Sequence, residues 1–211
     1  LYGAHRKIDM QFLPIYAVIE REIIKTVRQR TRLLSAIARP LIWLFVIGAG
    51  IESIVSKLDH ADYQNFLIPG VIGMTILFGA LLAALTTVYD KESGVLRMIV
   101  IAPLPYYWIV FAKMLSSSIV AILQALILLL ILSLLGLLSS NINFVLFPIS
   151  LILIALCCSG IGMMIASFSN TLDNFAGLMN FVVFPIFFLS GSIYPVKKLP
   201  EYLQLIANIN P

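Results

Sequence analysis

The 211-residue chain is 61% hydrophobic and only 11% charged, with a net charge of +4 and a mean hydropathy of +1.03. Average globular chains run near ~45–50% apolar and ~25% charged, so too little charge is present to skin a soluble globule of this size. The same figures exclude a disordered chain, a coiled coil and a disulfide scaffold.

Charge is concentrated at the start. Of 14 Lys and Arg, eight lie in the first 39 residues: Arg6, Lys7, Arg21, Lys25, Arg28, Arg30, Arg32 and Arg39. A basic N-terminus ahead of apolar runs reads as the cytoplasmic end of a multi-pass membrane protein. Nucleic-acid binding is the rival use of such a cluster. Acids and aliphatics interleave these charges, so no nucleic-acid partner is expected.

In chain order, the first element is an amphipathic helix over Phe12–Leu34. Arg21, Lys25, Arg28 and Arg32 are spaced by four, three and four residues, which groups them on one face. Phe12, Tyr16, Ile19, Ile23, Val27 and Leu34 fall opposite. Such a helix lies in the membrane interface, apolar side in lipid and basic side toward phosphates or a cytoplasmic partner. It acts as a lipid anchor alone, or as an anchor that also contacts a partner. Residues 1–35 thus form a cytoplasmic segment, and 36–211 a transmembrane domain.

Five spans are expected, at about 36–55, 66–88, 108–138, 144–168 and 174–194. Four rest on charge-free runs: Phe66–Val88, Met114–Leu138, Phe144–Phe168 and Phe175–Tyr194, of 23, 25, 25 and 20 residues. Each is long enough for a hydrocarbon core of ~30 Å at ~1.5 Å per residue. The first span contains Arg39, expected to snorkel to the cytoplasmic interface. Five crossings from an inside N-terminus leave the tail outside, as though a further span were missing after Asn210-Pro211. Pro69, Pro148, Pro185 and the run Ser190-Gly191-Ser192 are candidate kinks.

Motifs of chemistry are scarce. No Gly precedes a Lys, so no GxxxxGK[ST] phosphate loop exists and the chain is not an ATPase. His5 and His60 lie outside the spans, and no metal-ligand spacing is present. Cys157 and Cys158 are adjacent and imply no disulfide. Small residues recur every four positions: Gly79 with Ala83, Ala80 with Ala84, and Cys158, Gly162 and Ala166. This spacing lets helices approach closely. Ser116, Ser117, Ser118 and Gln124 are candidates either for interhelical hydrogen bonds or, Ser117 and Gln124 above all, for lining a pathway. Asp173 with Asn170 and Asn174 is a polar cluster on which an embedded lipid-metabolising enzyme would have to depend. A scaffold subunit without a pathway is a further alternative.

The segment Tyr89-Asp90-Lys91-Glu92-Ser93-Gly94-Val95-Leu96-Arg97, then Ala102-Pro103-Leu104-Pro105, is dense in charge and shaped by one Gly and two prolines. It reads as a short surface helix on the cytoplasmic side, stopped at Pro103.

Glu92-x-Gly94-x-Leu96 followed by Ala102-Pro103-Leu104 resembles the loop between the second and third spans of ABC-2 type permeases, the membrane subunits of ATP-binding cassette exporters. Phe66-Leu67-Ile68-Pro69-Gly70 resembles the start of that family's second span. Phe188 to Pro195, with Leu199-Pro200 and Asn210-Pro211, resembles the stretch after its fifth. Drug and nodulation-factor exporters are the nearest branches. The resemblance implies a six-span, all-α permease in a bacterial inner membrane that dimerises with a second copy. It implies export of an amphiphilic, lipid-linked or polysaccharide substrate by alternating access. ATP and Mg would sit on a separate ATPase subunit, with no cofactor in this chain. Asp90, Lys91, Glu92, Gly94 and Arg97 would couple to that ATPase, together with the basic face Arg21, Lys25, Arg28 and Arg32.

Overall fold

The computed structural model describes residues 16–25, 28, 30–47, 63–96, 105–138, 146–191 and 200–209. Described elements are helical throughout. They are α1 (16–25), α2 (Arg30–Ile42) running into a π-helical segment Trp43–Ile47, α3 (Tyr63–Glu92), α4 (Tyr106–Leu134), α5 (Leu146–Phe168), α6 (Leu172–Leu189) and α7 (Glu201–Ile209). Four stretches are long and apolar enough to cross a membrane: Leu67–Glu92, Tyr106–Leu134, Leu146–Phe168 and Leu172–Leu189. The fold is that of an all-α membrane protein. Of the expected first span, Ile37–Val46 is a shorter apolar helix, and residues 48–55 lie outside the described ones.

α3 is the central helix. Its crossing stretch is 83% buried, against 17% for that of α6. It packs on α4, α5, α6 and α2. A helix apolar all round is one that neighbours surround, and α3 is of that kind. Two apolar clusters follow its length. One gathers Leu67, Val71, Ile76 and Ala80 with Ala121, Leu128, Leu132, Leu151 and Ala155. The other gathers Leu77, Leu81, Ala84 and Val88 with Met163, Ala166, Phe175, Val183 and Phe187.

Small residues set the spacing. At Gly79 a Cβ would run into the Gln124 side-chain oxygen and lie 3.3 Å from the Ala121 Cα. At Gly162 it would lie 3.0 Å from the Ala84 Cβ and 3.5 Å from Leu81. The four-residue repeats of the sequence are therefore the contact stripes of α3 on α4 and of α3 on α5. Lipid offers no hydrophobic drive between helices, so close van der Waals contact at such stripes holds them together.

Helix ends differ from the expected spans for local reasons. α4 stops at Leu134 rather than 138. Gly136 there takes φ 69°. Its N–H donates to the Ser133 carbonyl, and Leu137 N–H to that of Leu132, both at 3.0 Å. This is a Schellman closure, which needs a left-handed residue. α3 runs on to Glu92 instead of ending at Val88, so Tyr89 to Glu92 are the last turn of a spanning helix, and the chain is helical again at Val95 and Leu96. Gly94, at φ 74°, closes α3. Arg97 and Ala102-Pro103-Leu104 lie outside the described residues. α6 passes through Pro185 and ends at Leu189, so Ser190 caps a helix instead of kinking one.

Gly160 and Gly162 provide an internal comparison, since a Cβ at Gly160 meets nothing within 4 Å. Gly162→Ala is expected to destabilise the protein by about 1–3 kcal/mol through overpacking against Ala84. Gly160→Ala is expected to be neutral or to stabilise by up to about 1 kcal/mol through helix propensity. Thermal unfolding in detergent checks the contrast.

Candidate functional site

Charged side chains converge where α3 ends. Successive residues of an α-helix point about 100° apart, so four in a row reach around most of its circumference. Tyr89, Asp90, Lys91 and Glu92 use that reach to contact different elements.

Asp90 is buried at 1% exposure. Its Oδ2 accepts from Lys113 Nζ of α4 at 2.6 Å and from Arg21 Nη2 of α1 at 2.7 Å. Its Oδ1 accepts from Lys25 Nζ at 3.3 Å. Glu22, also buried, accepts through Oε1 from Arg21 at 3.1 Å and from Lys113 at 3.2 Å. Lys25 further sits over the Tyr89 ring, 4.8 Å from its centroid. Three cations and two carboxylates thus make one network with a net charge of +1. Burying an isolated ion costs several kcal/mol, and only such mutual pairing offsets it. The network clamps α1 onto the ends of α3 and α4.

Lys91 turns the other way. Its Nζ donates to the carbonyls of Ala166, Ser167 and Ser169 at 2.8, 2.9 and 3.2 Å. These are acceptors at the C-terminus of α5, left without helical donors, and a cation there meets the negative end of the helix dipole. Glu92 Oε2 accepts from the Leu172 N–H at 3.3 Å, at the positive N-terminus of α6. The pair therefore clamps both sides of the α5–α6 turn, each charge at the helix end of opposite sign. Glu92 remains exposed, and so do Ser93 and Arg28.

The expected coupling residues are thus placed as follows. Asp90 and Lys91 are engaged inside the chain, Glu92 is engaged but open to solvent, and Gly94 closes α3. Arg21 and Lys25 turn inward to Asp90, where the sequence reading sent the basic face outward to phosphates or a partner. The reason is that a buried carboxylate offers more to these cations than water does. Arg28 stays on the surface, and the Arg32 side chain lies outside the described ones. Lys113 and Glu22 were missed as site residues. The available signal was an acid at the foot of a charge-free run facing a lone lysine at the foot of the next.

The pathway candidates are enclosed by packing. Ser117 is buried and donates to the Lys113 carbonyl at 2.9 Å. Gln124 is buried against Gly79. Ser118 and Ser159 share a 2.7 Å hydrogen bond between α4 and α5. The cluster of Asp173, Asn170 and Asn174 has a structural origin as well. Thr171 is the N-cap of α6, its side chain accepting from the Asn174 N–H at 3.3 Å, and Asp173 occupies the first turn. Arg39 does not lead its guanidinium to the charged end but holds it over the Phe78 ring, 4.9 Å from the centroid. No group of metal-binding side chains occurs among the described residues.

Long apolar helices around a central one, with ion pairs gathered at one end, define a multi-pass membrane protein whose helices are tied together outside the apolar core. Residues 14–211 match the family model of the ABC-2 type transporter, and the chain belongs to that family. Among similar curated proteins is the one named as transport permease ycf38 in Porphyra purpurea, 28% identical over 205 residues, covering 93% of this chain and 69% of that one. Another is named a probable multidrug ABC transporter permease, YbhR of Escherichia coli (strain K12). It is 31% identical over 158 residues, 72% of this chain and 42% of its own. Nodulation protein J of Rhizobium leguminosarum bv. viciae is 26% identical over 182 residues, 85% of this chain and 70% of that one. No solved structure matches at a significant level.

Asp90 and Lys113 are expected to be energetically coupled. Asp90→Asn removes the negative charge shared by Arg21, Lys25 and Lys113 and should cost about 3 kcal/mol, the scale for breaking a buried pair. Lys113→Met combined with Asp90→Asn should cost less than the sum of the single changes by about 1–3 kcal/mol. A double-mutant cycle of unfolding in detergent measures this, and strict additivity would speak against a shared network.

Proposed function

We propose that the chain is the membrane-spanning subunit of an ATP-binding cassette exporter, moving an amphiphilic, lipid-linked or polysaccharide substrate outward. Family membership makes it a transport permease. The finer reading is supported by one observation above the others, the last turn of α3. Four consecutive residues there hold α1, α4, α5 and α6. A push delivered at that turn moves five helices together, and alternating access needs this kind of concerted motion.

In this reading the charged end faces the cytoplasm of a bacterium, as the basic N-terminus favours. A separate ATPase subunit, carrying ATP and Mg, docks there on the exposed Glu92, Ser93 and Arg28. The ATPase closes on binding ATP and pushes on the turn. α3 and its clamped neighbours then tilt, and a route opens between this chain and a second copy. This chain supplies no hydrolytic chemistry. Its contribution is mechanical, through ion pairs that tie the helix ends together.

Glu92→Ala is expected to lower substrate-stimulated ATP hydrolysis several-fold in reconstituted vesicles, with expression and membrane insertion unaltered. Loss of one charge-assisted contact has about that size. Co-purification of an ATP-binding cassette ATPase with the full-length protein is expected alongside. Coupling that is unchanged by Glu92→Ala would refute the docking assignment.

A further inference from the structure

Between the two ends of the bundle, Arg39 is the one charged residue among those described. Its depth follows from its contact. Phe78, beneath the guanidinium, lies 12 residues from Asp90 and 11 from Leu67, or about 18 Å and about 16 Å along α3. That is midway across a core of ~30 Å. The side chain is exposed there, and no ion pair reaches it among the described residues. An aromatic face attracts the cation but accepts none of the five guanidinium N–H donors.

Among the described residues no counter-charge is at hand. The runs 66–88, 114–138, 144–168 and 175–194 contain no Asp or Glu, so through these spans neither this chain nor a second copy brings a carboxylate to that depth. Ionisable residues within a membrane are costly and mark function by default. The surrounding backbone is also irregular. Pro40, next in sequence, lacks an N–H and frees the carbonyl four residues earlier. Trp43–Ile47 then continues as a π-helix, a rare form found frequently at functional positions. Trp43, one turn beyond Arg39, stands edge-on to Phe187 at 5.9 Å, and Phe187 meets Phe188 at 5.8 Å. Phe187 is buried, so beyond the mid-depth cation the rings open to the surface are those of half-buried Trp43 and exposed Phe188.

We propose that Arg39, seated over Phe78 and followed by Trp43 and Phe188, binds the anionic head group of an amphiphile inside the bilayer. The planar guanidinium fork suits a phosphate, sulfate or carboxylate, and the aromatic rings suit the apolar portion. Calling that amphiphile the transported substrate rests on the exporter reading; the binding itself does not.

The test uses the full-length permease in phosphatidylcholine nanodiscs, without an ATPase. Equilibrium binding of dodecyl phosphate is compared with that of dodecylphosphocholine, which has the same chain and no net charge. Dodecyl phosphate is expected to bind roughly tenfold tighter, the size of one charge-assisted contact. Arg39→Gln should abolish the preference, and Arg39→Lys should keep part of it, since it retains the charge but not the fork. Phe78→Leu should weaken the preference while leaving the charge in place, and it serves if Arg39→Gln does not assemble. Equal binding of the two amphiphiles by the unaltered protein, or a preference that survives Arg39→Gln, overturns the proposal. Competition by inorganic phosphate as effective as by dodecyl phosphate overturns the amphiphile assignment. Absence of a co-purifying ATPase would instead count against the exporter reading and leave the binding result standing.

Discussion

A buried carboxylate at the foot of the central helix organises the charged end of this protein. Asp90 sits where the apolar run of α3 gives way to charge, and it is almost wholly removed from solvent. An ion in that position is tolerable only with cations directly against it. Lys113 supplies one from α4, and Arg21 and Lys25 supply two from α1. The N-terminal helix is therefore held by ion pairs to the spanning bundle and not by its apolar face alone. Glu22 joins the same set because Lys113 and Arg21 are shared with it. The two residues that follow Asp90 answer a different need. Free carbonyls end α5 and free N–H groups begin α6, and Lys91 and Glu92 meet them with the matching charge.

Above that end the structure relies on shape. Apolar side chains gain little by leaving lipid for one another, so the bundle is held by close fit. Gly79 admits Gln124 and Ala121 from α4, and Gly162 admits Ala84 from the other side of α3. Several of the polar exceptions satisfy themselves locally, whereas the Gln124 side-chain oxygen is buried without a hydrogen-bond partner. Thr75 donates to the Val71 carbonyl at 2.8 Å, and Ser118 pairs with Ser159 across the α4–α5 seam. Such bonds leave the bundle apolar outside and polar only at defined seams.

Much of this was legible in the sequence, and the parts that were not share a cause. The long spans show themselves because hydrocarbon excludes charge, which leaves runs such as Phe144–Phe168 unbroken. Their ends are harder to place, because charge-free does not mean helical and charged does not mean loop. Gly136 stops α4 inside an apolar run, while Asp90 to Glu92 extend α3 beyond one. The N-terminal helix was visible from its 3.6-residue periodicity, but periodicity gives faces without naming what each face meets. The partner of Arg21 lies 69 residues away. Arg39 was misplaced for the same reason, since its sequence neighbourhood suggests an interfacial side chain and only the packing of α2 on α3 brings it to Phe78.

Two polar levels therefore stand on one rigid element. The charged turn lies at the end of α3, and Phe78 lies twelve residues away on the same helix. An unbroken α-helix carries displacement along its axis with little loss, and α3 has no glycine or proline between Phe78 and Asp90 except Gly79, which α4 holds in place. Its one proline, Pro69, falls beyond Phe78, on the side away from the charged end. A tilt imposed at Asp90 thus arrives at Phe78 with little loss. The aromatic ring under Arg39 therefore follows the charged turn, and a conformational change delivered there alters the surroundings of the mid-depth cation.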